Sequence, residues 1–317
     1  MTTPQTVKTS YVEGNGVVYA YRRLGKPNGG VPLLMLHHFR GFMDFWDPLF
    51  ISSLAAQREV ILFDNAGCGK STAEVPDSIK GMADHVAEFL ASMKIYQLDI
   101  YGFSIGGYIA QQFVVDHPDF VRKLILSGTG PGVGIENPNI ANPNAVRISQ
   151  LAANDDGPDL ESMKILWFYP SESSRAAADE WWARVHERTK ETSGEERDTF
   201  VKGAGLLAQK TALGKWKGGE GEIHMWTLWV YYPYLLTLTP GSFGRLHEIK
   251  CPVLITNGKD DFMVPTPESY AMFQQIPNAQ LILFPDSGHG HCFQYALEYC
   301  QHVGLFLEGV RVATGQP

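Results

Sequence analysis

The chain has 317 residues, 44% of them hydrophobic and 19% charged, with a formal net charge of −8. That composition suits one large folded unit or a core with an insertion, and it excludes a basic nucleic-acid-binding surface. No apolar run reaches the length of a membrane span, and the opening MTTPQTVKTSYVEGNG has no signal-peptide core. A cytoplasmic, reducing setting is therefore expected, with Cys68, Cys251, Cys292 and Cys300 as free thiols.

Residues 9–13 and 17–23 flank Gly14-Asn15-Gly16 and predict an N-terminal hairpin. Short apolar runs follow at 32–36 (PLLML), 60–63 (VILF), 98–103 (LDIYGF), 124–126 (LIL), 253–256 (VLIT) and 281–284 (LILF). Most lead into helical patterns, which predicts an α/β fold with a mostly parallel sheet covered on both faces.

The run at 60–63 continues into Asp64-Asn65-Ala66-Gly67-Cys68-Gly69-Lys70-Ser71, which looks like the end of a phosphate-binding loop. Asp64 stands where that motif needs its first glycine, and a carboxylate there repels phosphate. Pro76 then interrupts any helix begun at Lys70. A tight strand-to-loop turn is the better reading.

The strand–helix alternation stops near Gly130 and resumes near Cys251. We expect a core over residues 1–131 and 248–310, a helical insertion over 132–247, and a loose tail over 311–317. Within the insertion, DLESMKILWFY, SRAAADEWWARVHERTK and EERDTFVKGAGLLAQKTAL read as helices. Six of the seven tryptophans lie there: Trp167, Trp181, Trp182, Trp216, Trp226 and Trp229.

Chemistry concentrates at three turns. Strand LDIYGF runs into Gly102-Phe103-Ser104-Ile105-Gly106-Gly107 and then a helical pattern. This is Gly-x-Ser-x-Gly in its strand–turn–helix setting, which lifts a serine hydroxyl above the sheet at a helix N-terminus. A serine needs a base, and the base needs an acid to orient it. Two later strand ends supply them in the order acid then histidine: Asp260 or Asp261 after VLIT, and His289 after LILF. His291 and Cys292 have no partners at metal-ligand spacing and read as helix-start residues.

These motifs resemble the α/β-hydrolase superfamily over nearly the whole chain except the insertion, which is similar to that family's cap. The resemblance implies the triad Ser104, Asp261 and His289, since Gly258 to Pro265 matches G-x-x-D-x-x-V-P and Ser287-Gly288-His289 matches S-G-H. It implies oxyanion donors at the backbone N–H groups of Ile105 and Phe39. The second lies in His37-His38-Phe39-Arg40-Gly41, where His38 replaces the usual glycine. It also turns residues 64–71 into the family's structural D-x-x-G-x-G-x-S loop.

Ser104, rather than an elbow aspartate, implies acyl chemistry. We expect a cofactor-independent serine hydrolase acting on a hydrophobic ester or lactone, with no metal, nucleic-acid or membrane partner. Alternatives are carbon–carbon (diketone) hydrolysis or perhydrolysis with the same triad, or a small-molecule receptor on a hydrolase scaffold. Candidate substrate contacts are His38, Arg40, Trp167, Trp226, Trp229 and Tyr232, although packed roles compete for His38 and many cap aromatics. A surface salt bridge competes for Arg40.

Overall fold

The structure, a computed structural model, describes residues 3–27, 30–132, 145–154, 156–218 and 241–308. Its centre is an eight-stranded sheet of order β1-β2-β4-β3-β5-β6-β7-β8. The strands are β1 (Ser10–Gly14), β2 (Val17–Leu24), β3 (Leu33–Leu36), β4 (Val60–Phe63), β5 (Leu98–Phe103), β6 (Val121–Ser127), β7 (Val253–Gly258) and β8 (Ala279–Phe284). The first two form an antiparallel hairpin, and β2 pairs antiparallel with β4. All the later pairings are parallel. Asn15 and Gly16 both have positive φ, 49° and 79°, the backbone a tight two-residue hairpin turn requires.

Alternate residues feed two cores. Leu33, Met35, Val60, Leu62, Tyr101 and Phe103 face one layer, and Leu34, Leu36, Ile61, Phe63, Leu98 and Ile100 face the other. This period of two, buried on both sides, explains why the strand sequences are apolar throughout. Helix α1 (Pro48–Ala55) and the C-terminal helix, Ala296–Glu308, pack in the first layer. Helices α2 (Ile79–Ser92) and α3 (Ile105–Asp116) pack in the second. No described helix is long and apolar enough to cross a membrane.

Between β6 and β7 stand α4 (Ala145–Ala152), α5 (Leu160–Trp167), α6 (Glu172–Val185), α7 (Lys190–Ser193) and α8 (Gly203–Trp216). Asp159 and Ser171 cap α5 and α6 by accepting backbone N–H bonds, as Asp and Ser do at helix starts. The third expected helix is shorter than the sequence suggests, beginning only at Gly203. Residues 195–202 form no regular element, and their charged groups bond elsewhere. Glu195 accepts from Thr9 and pairs with Arg188, and the Asp198 N–H donates to Asp44.

Asp44 is the centre of this arrangement. Its Oδ1 lies 2.5 Å from Arg22 Nη1 and 3.0 Å from Arg188 Nε, with all three side chains buried. With Glu195, which lies 2.8 Å from Arg188 and 3.8 Å from Arg22, two carboxylates balance two arginines, as charges removed from water require. A second buried carboxylate, Asp47, caps α1 and holds Arg184 of α6 at 2.8 Å.

Candidate active site

β7 leads through the acid loop to α9 (Thr266–Gln275), and β8 leads through the histidine loop to α10 (His291–Gln294) and α11 (Ala296–Glu308). The functional side chains therefore gather where parallel strands end.

Ser104 sits between β5 and α3 with φ 57° and ψ −121°, a backbone state L-residues rarely adopt. The flanking glycines show what enforces it. A Cβ on Gly102 would stand 2.5 Å from Gly106 O, and one on Gly106 would stand 2.3 Å from Leu36 O. The turn is further fixed by Ser104 N donating to Ser127 O at 3.0 Å and Thr129 Oγ1 donating to Ser104 O at 2.8 Å. A strained residue held by surrounding contacts is a mark of functional sites.

His289 is 1% exposed and its Nδ1 lies 2.7 Å from Asp261 Oδ2. Asp261 Oδ1 accepts from the backbone N–H groups of Met263 and Val264 at 2.7 and 3.0 Å. One oxygen is thus locked by its own loop and the other faces the imidazole. Asp260 instead gives only its backbone N–H to Ser287 O, so the geometry selects Asp261 of the two adjacent carboxylates.

Ser104 and His289 line one cavity of about 30 Å³, together with His38, Phe39, Arg40 and Trp167. Met163, Leu166, Phe200 and Met263 complete most of its apolar wall. Ile105 begins α3, next to Ser104, and lines a second, neighbouring cavity with His38. Trp226, Trp229 and Tyr232 lie outside the described residues.

Of the two readings of Arg40, pocket side chain and surface salt bridge, the structure has it lining the cavity. It is not at the surface but 1% exposed, and its guanidinium donates to the carbonyls of Val201, Ala152 and Asn154. Its backbone N–H donates to Gln209 of α8. It is a strut that fixes the loop carrying Phe39 against the helical segment. Trp167 does the same for the histidine loop: its carbonyl accepts the Gly290 N–H at 2.7 Å, and its ring stacks on Phe293.

Two loops behind the site are structural. Asp64 is fully buried, accepts the N–H groups of Met43 and Lys70, and fills the space a Cβ on Gly69 would need. Burial pushes its carboxyl up to about 7, the opposite of a phosphate-loop environment. His291 lies under the histidine loop, its Nδ1 3.1 Å from His289 O and its Nε2 near Ser127 Oγ at 3.2 Å and Thr256 Oγ1 at 3.1 Å. Among the described residues no group of His, Cys, Asp or Glu is placed to hold a metal ion.

Burial holds the His291 ring neutral by lowering its pKa from 6.5 to about 3. Unfolding frees the ring, so between those values the unfolded chain binds a proton that the folded chain refuses. Stability contributed by neutral His291 is therefore present above pH 6.5 and is lost as pH falls towards 3. The variant His291→Gln should flatten the acid-side slope of unfolding free energy by about 1 kcal/mol per pH unit. Urea titrations at two acidic pH values check this, and an unchanged slope contradicts it.

A strained elbow serine, a locked carboxylate and a buried histidine stand beyond the ends of the parallel strands β5, β7 and β8. The model of the alpha/beta hydrolase fold family matches residues 31–295. The chain belongs to that family. Among relatives of this α/β hydrolase is a poly(3-hydroxyalkanoate) depolymerase from Ectopseudomonas oleovorans, 28% identical over 92% of this chain and 88% of that protein. A 2-hydroxy-6-oxo-6-phenylhexa-2,4-dienoate hydrolase from Burkholderia cepacia is 29% identical over 77% of this chain and 74% of its own. The structure of an α/β-hydrolase fold protein from Chitinophaga pinensis superposes with a TM-score of 0.80 at 34% identity, covering 97% of this chain and 100% of that one.

Proposed function

We propose that this α/β hydrolase is a serine hydrolase that cleaves a hydrophobic carboxylic ester or lactone through an acyl-enzyme. The observation that carries the reading is the 2.7 Å Asp261–His289 contact behind a cavity that Ser104 and His289 share. With its Nδ1 proton donated to Asp261, His289 keeps a lone pair on Nε2 for the Ser104 hydroxyl proton. Ser104 Oγ then bonds to the carbonyl carbon, and the oxygen that becomes negative accepts from the N–H groups of Ile105 and Phe39. Collapse breaks the ester C–O bond, and His289 returns its proton to the leaving alcohol. Water repeats the sequence against the acyl-Ser104 bond, giving the acid and restoring the serine.

The helical segment between β6 and β7 acts in this reading as a cap, with residues 132–247 as the inserted unit. Its Met163, Leu166, Trp167 and Phe200 supply apolar surface suited to a hydrocarbon or aromatic group. Attack on a ketone with carbon–carbon cleavage is the second reading. It draws support from the Burkholderia cepacia relative, whose named substrate carries an oxo group and no ester.

A fluorophosphonate probe, which phosphonylates activated serines, tests the mechanism. Folded protein should be labelled at Ser104, and a panel of aryl esters, lactones and vinylogous diketones should then separate the two reactions. Absence of labelling on folded protein would favour a receptor on a hydrolase scaffold instead.

A further inference from the structure

His38 occupies the loop position where glycine is usual, and the structure gives that imidazole a definite chemical state. The residue is 6% exposed. Its Nδ1 lies 2.8 Å from Phe39 O. A carbonyl can only accept, so Nδ1 carries the ring's proton and donates it, leaving Nε2 as an acceptor. That Nε2 is buried and has no hydrogen-bond partner. Burial pushes the ring's pKa down to about 3, with the neighbouring His289 adding to the effect, so the acceptor form persists. The ring is also held in place, edge-on to Trp167 at 4.8 Å between centroids and close to Phe45 and Phe103.

The surroundings limit what could supply the missing donor. His38 lines the 30 Å³ cavity of Ser104 and His289 and also the adjoining cavity of about 20 Å³ that Gly41 and Ile105 share. A Cβ on Gly41 would stand 3.0 Å from Nε2, so glycine leaves the space beside the acceptor open. The space beside Nε2 is narrow, so a small terminal donor suits it. A hydroxyl fits, being a neutral donor of one heavy atom, whereas a primary amide brings a carbonyl oxygen that also needs a partner and an ammonium brings a charge into a buried site. The amides lining the Gly41 cavity donate elsewhere, Asn65 Nδ2 to Met82 O and Gln209 Nε2 to Cys68 Sγ, and around the Ser104 cavity Arg40 is committed to carbonyls and Ser104 and His289 to the reaction.

We propose that His38 Nε2 is a specificity-determining acceptor that receives a hydrogen bond from a hydroxyl on the substrate, close to the reacting carbonyl. The substrate class is then hydroxyacyl esters or lactones rather than plain hydrocarbon ones. This rests on the serine-hydrolase reading above and narrows it. A site built to bond a hydroxyl discriminates against the isostere lacking it, because the buried partner is left unpaired.

The test compares 4-nitrophenyl esters in pairs: 2- and 3-hydroxybutanoate, each against the ester with methyl in place of the hydroxyl. Wild-type kcat/KM should favour at least one hydroxy member by about 10- to 100-fold. His38→Leu should bring that ratio close to one, and His38→Gln, whose amide oxygen can still accept, should restore part of it. Gly41→Ala, which sets a methyl against Nε2, should also lower the ratio. The readout is the ratio within a pair, so a general loss of rate does not enter it. No hydroxyl preference in the wild type, a ratio unchanged in His38→Leu, or equal loss on both members of a pair overturns the proposal. Loss of fluorophosphonate labelling at Ser104 in the wild type would instead remove the serine-hydrolase reading, so the two failures are distinguishable.

Discussion

Ester hydrolysis by the Ser104→Ala variant should fall by about 10⁴- to 10⁶-fold, because the proposed nucleophile is gone while the rest of the site stands. The contacts that impose φ 57° at Ser104 come from Gly102, Gly106, Ser127 and Thr129, and none depends on the serine hydroxyl. Alanine should therefore leave the fold and its melting temperature close to those of the wild type. Glycine, which adopts this backbone without strain, should melt higher, by an amount on the order of 1 kcal/mol in stability. Kinetics on an aryl ester together with thermal melts of both variants check the pair of expectations. Retention of more than a small fraction of wild-type kcat by Ser104→Ala would end the nucleophile assignment.

The second large effect separates two neighbours. Asp261→Asn should lower kcat by about 10⁴-fold, whereas Asp260→Asn should stay near the wild type. Asp261 Oδ1 is held by the Met263 and Val264 N–H groups, so the asparagine oxygen is drawn to that position. Its NH₂ then faces His289 Nδ1, which must become an acceptor, and the ring proton moves to Nε2. A histidine in that tautomer cannot take the proton of Ser104. Asp260 makes no such contact, its backbone N–H going to Ser287 O. Parallel kcat measurements on the two variants decide the matter, and equal effects would refute the selection of Asp261.

Most of this arrangement is legible in the residues because the strongest signals are local. Gly102-Phe103-Ser104-Ile105-Gly106 is readable as a motif in its strand–turn–helix setting, although only Gly102 is crowded from within that unit, by Gly106 and Gly107, while Gly106 is crowded by the Leu36 and His37 carbonyls of another strand end. The acid loop is local too, since Asp261 bonds the N–H groups two and three positions on. What the sequence hides is set by distant partners. Phe200 and Met163 line the cavity without any pattern that marks them, because only the packing of the helical segment on the core brings them there. Residues 195–202 look helical and are not; their acidic groups answer to Arg188, Thr9 and Lys70, and charge partners do not advertise themselves along the chain. The sequence leaves Arg40 between a pocket group and a surface charge for the same reason, its carbonyl partners on Ala152, Asn154 and Val201 being distant along the chain. The Trp226, Trp229 and Tyr232 assignments lie outside the described residues, and Met263 is the one wall residue that its own motif, two positions after Asp261, could have pointed to.

The Asp44 cluster bears on how such proteins can be recombined. Sheet and inserted helices are joined there by ionic contacts whose members come from three separated stretches: Arg22 of β2, Asp44 before α1, and Arg188 with Glu195 beyond α6. Foreign helices grafted between β6 and β7 to change substrate range would arrive without Arg188 and Glu195, so the buried Asp44–Arg22 pair would lose the contacts that dock the helices on it. Arg184 would likewise be missing from Asp47. The helices between β6 and β7 of this α/β hydrolase are thus best exchanged as a package with their docking charges, and a graft that keeps Arg184, Arg188 and Glu195 should be more stable than one that drops them.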